Sequence, residues 1–309
     1  MLTIFTLPKP FIGHAEIIQR NALQSWLRLV PPCEIFLCGD DQGVKETAAE
    51  FNVRHLPNIK KNEFGTPLLN SAFSAVQQEA SMPLLCYVNA DIIIMQSLID
   101  AVKRVNFKKY LLIGQRWNLD VSDLIDFDDP SWEKNLEIRV SEKGELQPPF
   151  GSDYFIFPKE IEWGLPKFAV GRPGWDNWFI YRARSLHVPV VDATDAGTVI
   201  HQNHNYAHIH GSLNPNSFEG PEAVNNRVLM GSDDTSFNVG DATHRIVNDS
   251  VLNAKDYQYL KYRVIRQSVL NPSAGAIPKI LWRIFQALLY RRKYFPKWFW
   301  QNLIYTFTK

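Results

Sequence analysis

The 309-residue chain is 45% hydrophobic and 21% charged, too apolar for a disordered protein and long enough for one large α/β unit with an appendage. No apolar run approaches the roughly 18 to 20 residues needed to cross a bilayer, and the N-terminal run Met1 to Leu7 meets Pro8 before reaching signal-peptide length. Cys33, Cys38 and Cys86 are odd in number and lack CxxC spacing, which argues against a disulfide scaffold or structural zinc and for a reducing cytoplasm.

Leu2 to Leu7 predicts a strand. Ala15 to Leu29 has helical spacing at Ile17, Ile18, Ala22, Trp26 and Leu29, and Pro31-Pro32 stops it. Glu34 to Cys38 predicts a second strand that ends in Gly39-Asp40-Asp41. A helix over Lys45 to Phe51, a short strand over Val53 to Leu56 and a helix over Leu68 to Glu79 follow. Leu84 to Val88 is the strongest strand of the series. Such alternation points to a parallel sheet covered on both faces, whose ligands bind beyond the carboxyl ends of the strands. Asp40, Asp41 and Asn89-Ala90-Asp91 all fall at such ends.

Further along, a helix begins near Ser97, Tyr110 to Gln115 predicts a strand, and Asp120 to Asp129 is polar and rich in carboxylates. Tyr154 to Phe157 predicts a strand and Trp175 to Ser185 a helix, with short strands over His187 to Val191 and Thr198 to His201. Residues 203–241 are loop-like, a length that in a folded domain usually carries function or motion.

Charge is unevenly placed. Ten basic residues and no acidic one follow Asp256, so the chain divides into a net-acidic body, 1–255, and a basic, aromatic-rich tail, 256–309. Lys279 to Arg292 predicts a helix with Trp282, Phe285 and Leu288 on its apolar side, and Phe295 to Tyr305 mixes Trp and Phe with Lys. This pattern fits a helix lying on an anionic membrane surface, and equally an appendage packing its apolar stripe on the body. Nothing in it supports nucleic-acid binding.

The turn Asn89-Ala90-Asp91 places two side-chain oxygens after a buried strand, and hard divalent cations take oxygen ligands. Alone, a single N-x-D is a weak signal, better read as an Asp that caps the next helix or satisfies turn amides. Its position after the fourth alternating strand favours a metal.

Here the chain resembles the GT-A family of nucleotide-diphosphosugar glycosyltransferases. Leu84 to Ile94 resembles the family's DxD strand and turn, with Asn89 in place of the first Asp. Ile35 to Asp40 resembles its second strand, Gly65-Thr66-Pro67-Leu68-Leu69-Asn70 the segment beneath the nucleoside, and Pro149 to Phe157 the Gly-containing segment at donor sugar and acceptor. Trp175-Asp176-Asn177-Trp178 stands where many inverting members carry an acidic base. The likeness covers about residues 1 to 210.

The resemblance implies a GT-A, Rossmann-like mixed sheet flanked by helices, with the basic helical appendage beyond it. It implies a metal-dependent transferase, inverting, that moves a sugar from a nucleotide-diphosphosugar to an acceptor hydroxyl in glycan or glycolipid synthesis. The metal, Mn²⁺ or Mg²⁺, falls to Asp91 with His201 and then His204, from a stretch that also holds His208 and His210. Donor contacts fall to Leu7, Pro8, Asp40, Asp41, Gly65, Thr66, Asn70, Asn89, Ala90 and Arg116. Asp176 is the expected base and Asp153 a grip on donor hydroxyls, with the roles exchangeable; Trp175 and Trp178 stack on sugar or belong to the core. The place of action is the cytoplasm or the inner membrane face. Two alternatives remain: a sugar nucleotidyltransferase, whose Gly-rich basic loop Leu7 to Phe11 lacks, and a non-catalytic sugar-binding module.

Overall fold

The computed structural model describes residues 1–204 and 220–271, with positions 273, 277 and 280. Apart from position 280, the predicted helix Lys279 to Arg292 lies outside the described residues, as do the segment Phe295 to Tyr305 and the histidines His208 and His210.

In chain order the strands are β1 (Leu2–Thr6), β2 (Glu34–Cys38), β3 (Arg54–Leu56), β4 (Leu84–Val88), β5 (Ile92–Ile94), β6 (Leu111–Ile113) and β7 (Trp117–Leu119). They continue as β8 (Glu145–Leu146), β9 (Tyr154–Pro158), β10 (Val190–Asp192), β11 (Val199–Gln202), β12 (His244–Val247) and β13 (Ser250–Asn253). The α-helices are α1 (Gly13–Leu27), α2 (Val44–Glu50), α3 (Leu69–Glu79), α4 (Gln96–Lys103), α5 (Trp132–Lys143), α6 (Trp175–Ser185), α7 (Pro221–Met230) and α8 (Tyr257–Leu270).

Nine strands form the main sheet in the order β13-β12-β10-β6-β9-β4-β1-β2-β3. β1 pairs in parallel with β2 and β4, as the alternation predicts. The sheet is mixed, as the resemblance implies: β9 runs antiparallel between β4 and β6, and β13 antiparallel to β12, which the alternation alone does not indicate. The mixed α/β sheet flanked by helices is present. A smaller sheet, β5-β11-β7-β8, lies beside the carboxyl end of β4.

Period-2 alternation sends the strand side chains into two cores. Phe5, Leu85, Tyr87, Phe155 and Phe157 meet α3 and α6 on one face. Ile4, Cys86, Val88, Tyr154 and Ile156 meet α1 and α4 on the other. Trp175 and Trp178, left open between sugar platform and core, are both buried; Trp175 packs its edge on Tyr87 and Trp178 on Phe168. The expected loop 203–241 is corrected in part: α7 lies within it, with Pro221 in its first turn, where its missing N–H costs nothing, and Gly231 after its end.

The first helix of the basic tail, α8, is packed on the body. Tyr259 is buried and donates to Asp192 at 2.8 Å, and Arg266 pairs with buried Asp241 at 3.3 Å. Among the described residues no helix is long and apolar enough to cross a membrane.

Phe179 of α6 sits at the centre of an aromatic cluster, 4.8 Å from Trp163 and 5.3 to 5.7 Å from Phe155, Phe73 and Phe157 between ring centroids. Phe179→Ala is expected to lower the unfolding free energy by about 3–5 kcal/mol, read as a reduced midpoint in denaturant titration. A loss below about 1 kcal/mol would show that this cluster does not hold α6 on the sheet.

Candidate functional site

β4 ends at Val88, and the chain turns through Asn89-Ala90-Asp91 before re-entering as β5. β11 pairs antiparallel with β5 so that His201 stands opposite Ile92. That register delivers His201, and His204 just beyond the strand, to Asp91. His204 Nε2 is 2.8 Å from Asp91 Oδ2, and His201 Nε2 is 3.8 Å from the same oxygen. One ligand atom from each of the three residues lies within 4.8 Å of the others.

Burial alone would raise the Asp91 carboxyl. The His204 hydrogen bond, with the electrostatic influence of the neighbouring imidazoles and of Lys9, instead holds it well below the usual carboxylate range. Burial pushes His201 down to about 4, so at neutral pH its imidazole is neutral and keeps a lone pair for a metal. Asp91 Oδ1 and His201 Nδ1 are buried without a hydrogen-bond partner. An orphaned carboxylate oxygen beside two imidazoles fits a divalent cation.

These three side chains line one cleft of about 350 Å³. Leu7, Pro8, Asp41, Gly65, Thr66, Asn89, Ala90, Arg116 and Asp153 line it too, so most residues singled out from the sequence converge there. Three do not line it. Asp40 is exposed, pairs with Lys61 at 2.6 Å and borders an adjacent groove with Gly43 and His55. Asn70 faces a separate pocket with Phe73, Gln77 and Trp163. Asp176 is half-buried in the first turn of α6, reached through left-handed Gly174 (φ 99°), a backbone that favours glycine. It stands within electrostatic reach of Tyr87 and Arg116, two cleft residues, and burial raises its carboxyl above the ordinary value.

Asn89 differs from a second metal carboxylate in its engagements. Its amide nitrogen donates to Asp153 Oδ1 at 2.6 Å, and its oxygen accepts from Tyr87 at 3.3 Å. Asp153 also carries an ion pair from Arg116, which in turn donates to Asn118 at 3.2 Å. The sequence reading missed Lys9, Gln19, Tyr87 and Arg172, which also line the cleft. Arg172 is held by Glu222 of α7, which also accepts from Asn62 at 2.7 Å. For Lys9 the one signal was a lone cation just after the first strand. Arg172 had none, because its anchor lies fifty residues on.

Three cationic side chains around a group of three potential metal donors suit a polyanionic ligand. No protein-family model and no curated protein sequence matches the chain. Among solved structures it is similar to S. aureus TarS in complex with UDP-GlcNAc, at 12% identity and TM-score 0.48 over 89% of this chain and 75% of that one. It is also similar to GalNAc-T7 with UDP, GalNAc and Mn²⁺, at 13% identity and TM-score 0.45 over 74% and 48% of the two chains. A third is glucosyl-3-phosphoglycerate synthase from Mycobacterium tuberculosis with Mg²⁺ and UDP, at 13% identity and TM-score 0.40 over 68% and 74%. Against a longer TarS chain the match spans 36% of that chain's length.

The depressed His201 value fixes a sign. Between about 4 and 6.5 the unfolded chain binds a proton at this residue that the native chain does not, so stability rises with pH across that window and is lost as pH falls through it. In chelator-treated protein, His201→Gln is expected to flatten the wild-type slope by up to about 1.4 kcal/mol per pH unit, measured by denaturant unfolding from pH 4 to 6.5. Parallel slopes for the two proteins would mean that His201 is not held neutral by burial.

Proposed function

We propose that the chain is a metal-dependent, inverting glycosyltransferase of the GT-A type. It moves a sugar from a nucleotide-diphosphosugar to an acceptor hydroxyl in glycan or glycolipid synthesis. The observation that carries this reading is the meeting of Asp91, His201 and His204 in one cleft with Lys9, Arg116 and Arg172. Sequence motifs more than one hundred residues apart converge there, which supports a site for a metal and a polyanion.

Asp91, His201 and His204 would hold the cation, and two imidazoles in the set favour Mn²⁺ over Mg²⁺. When bound, the cation supplies positive charge where the leaving diphosphate develops negative charge. Leu7, Pro8, Asp41, Gly65 and Thr66 form the wall assigned to the nucleoside. The sugar's bond to the diphosphate oxygen breaks, its anomeric carbon bonds to the acceptor oxygen, and the acceptor's proton goes to a base.

Of the two carboxylates, Asp153 already has its oxygens engaged by Arg116 and Asn89. Asp176, with its carboxyl raised by burial, is the better base. Asp153 then fixes Arg116 and the floor of the cleft. The ten basic residues and absence of acids after Asp256 support action from the cytoplasm at an anionic membrane surface. Cosedimentation with phosphatidylglycerol vesicles that survives truncation after residue 271 would remove that part of the reading.

With Mn²⁺ and a panel of nucleotide sugars, the protein is expected to release a nucleoside diphosphate, where a nucleotidyltransferase would release pyrophosphate. Asp91→Asn should lower kcat at least about 100-fold, and Asp176→Asn by about 10²–10⁴ with little change in KM. Full turnover in both variants, each folded by circular dichroism, would overturn the site. Release of no nucleotide product from any donor would overturn the activity.

A further inference from the structure

Lys9 lies just beyond β1, and its backbone is fixed from both sides. Its amide donates to Gln19 Oε1 at 2.7 Å, and its carbonyl accepts from Gln19 Nε2 at 3.0 Å; Gln19 itself is buried on α1. The chain therefore aims this side chain into the cleft deliberately, not as a loose surface lysine. Its ammonium makes no hydrogen bond or ion pair with any described residue.

The other cations beside the cleft are matched. Arg116 meets Asp153, Arg172 meets Glu222, and Lys61 meets Asp40 and Asp41. Asp91 is near enough to act on Lys9 through its field, yet its Oδ2 faces His204 and His201, and its Oδ1 has no hydrogen-bond partner. A half-buried ammonium kept off every carboxylate costs free energy in the ligand-free protein. A purely structural lysine would be expected to have found a partner.

Resting on the glycosyltransferase reading, we infer that the Lys9 ammonium is a phosphate-positioning group that makes the site select donors with two phosphates over donors with one. The cleft holds two separate centres of positive charge when loaded, the Asp91/His201/His204 metal site and Lys9. A monophosphate neutralises one of them and leaves the other desolvated. A diphosphate can engage both, through hydrogen bonds between charged groups, which are stronger than those between neutral ones.

The test compares full-length wild type, Lys9→Met and Lys9→Arg, titrated calorimetrically with UDP, UMP and uridine in Mn²⁺, and with the guanosine series. Lys9→Met keeps the length and apolar stem while removing the charge. It is expected to weaken the nucleoside diphosphate by about tenfold or more, the monophosphate far less and the nucleoside not at all. Lys9→Arg should retain most of the preference. Because the charge is unmatched in the free protein, Lys9→Met should melt no lower than wild type.

Equal diphosphate affinity in wild type and Lys9→Met would overturn the inference while leaving the glycosyltransferase reading intact. So would a lowered melting temperature with uridine or guanosine binding lost as well, since Lys9 would then be a structural prop. Wild type that binds neither diphosphate in Mn²⁺ would end the glycosyltransferase reading, and this inference with it.

Discussion

The burial of one carboxylate organises the cleft. Asp91 follows β4, which lies inside the sheet with β1 on one side and β9 on the other. Removing a charged carboxylate from water at such a place costs several kcal/mol unless neighbours compensate. Here the compensation comes from a second sheet: β11 pairs with β5, and the register puts His201 opposite Ile92. Ile200, one residue earlier, points into a separate apolar cluster with Ile93. A slip of one residue would exchange these two side chains, bury an imidazole among isoleucines and leave Asp91 without its nearest partners. The meeting of Asp91, His201 and His204 is thus a consequence of strand register, secured by hydrophobic contacts on the far face of β11.

The antiparallel strand β9 supplies the other half of the cleft. In a parallel sheet every strand begins at the edge away from the ligand, so residues preceding a strand cannot reach the site. β9 runs the other way between β4 and β6, and its beginning lies beside the end of β4, with Tyr154 opposite Val88. Asp153, just before β9, therefore meets Asn89: the Asn89 amide N–H donates to its carbonyl at 2.9 Å, and the side chains join at 2.6 Å. Arg116, just before β7, is drawn into the same group through Asp153. Neutral Asn89 suits this position, because a second carboxylate there would face Asp153 instead of donating to it.

Much of this was legible in the sequence where hydrophobic periodicity is strong. Glu34–Cys38, Leu84–Val88 and Trp175–Ser185 have the predicted limits, because each is a buried run or an apolar helix face bounded by polar or Pro/Gly punctuation. The direction of β9 was not legible, since its five buried residues read the same forwards or backwards. β5 escaped notice because three isoleucines after a turn resemble the approach to the next helix. α5 buries only Leu136 and Val140, too few to mark a face, and α7 lies in a stretch whose Asn and Gly content reads as loop. In the cleft, acids at strand ends could be found by position alone. Lys9 and Arg172 could not be assigned, because what aims them, Gln19 and Glu222, becomes adjacent only in the fold.

The same logic extends to the C-terminal side of the body. Asn177, next to Asp176, donates to the carbonyls of Phe150 and Phe237, and Val239 donates to Pro149 at 3.0 Å. The segment 237–241 thereby clamps α6 to the loop containing Gly151, which lies against Asp176. That segment is itself held from outside: Asn238 and Asp241 cap each other's backbone, and Arg266 of α8 reaches Asp241 and Ser236 while lying over the Phe237 ring. Gly240 admits the close approach, since a Cβ there would stand 2.4 Å from Tyr262. A helix from the basic tail is therefore part of the support beneath Asp176.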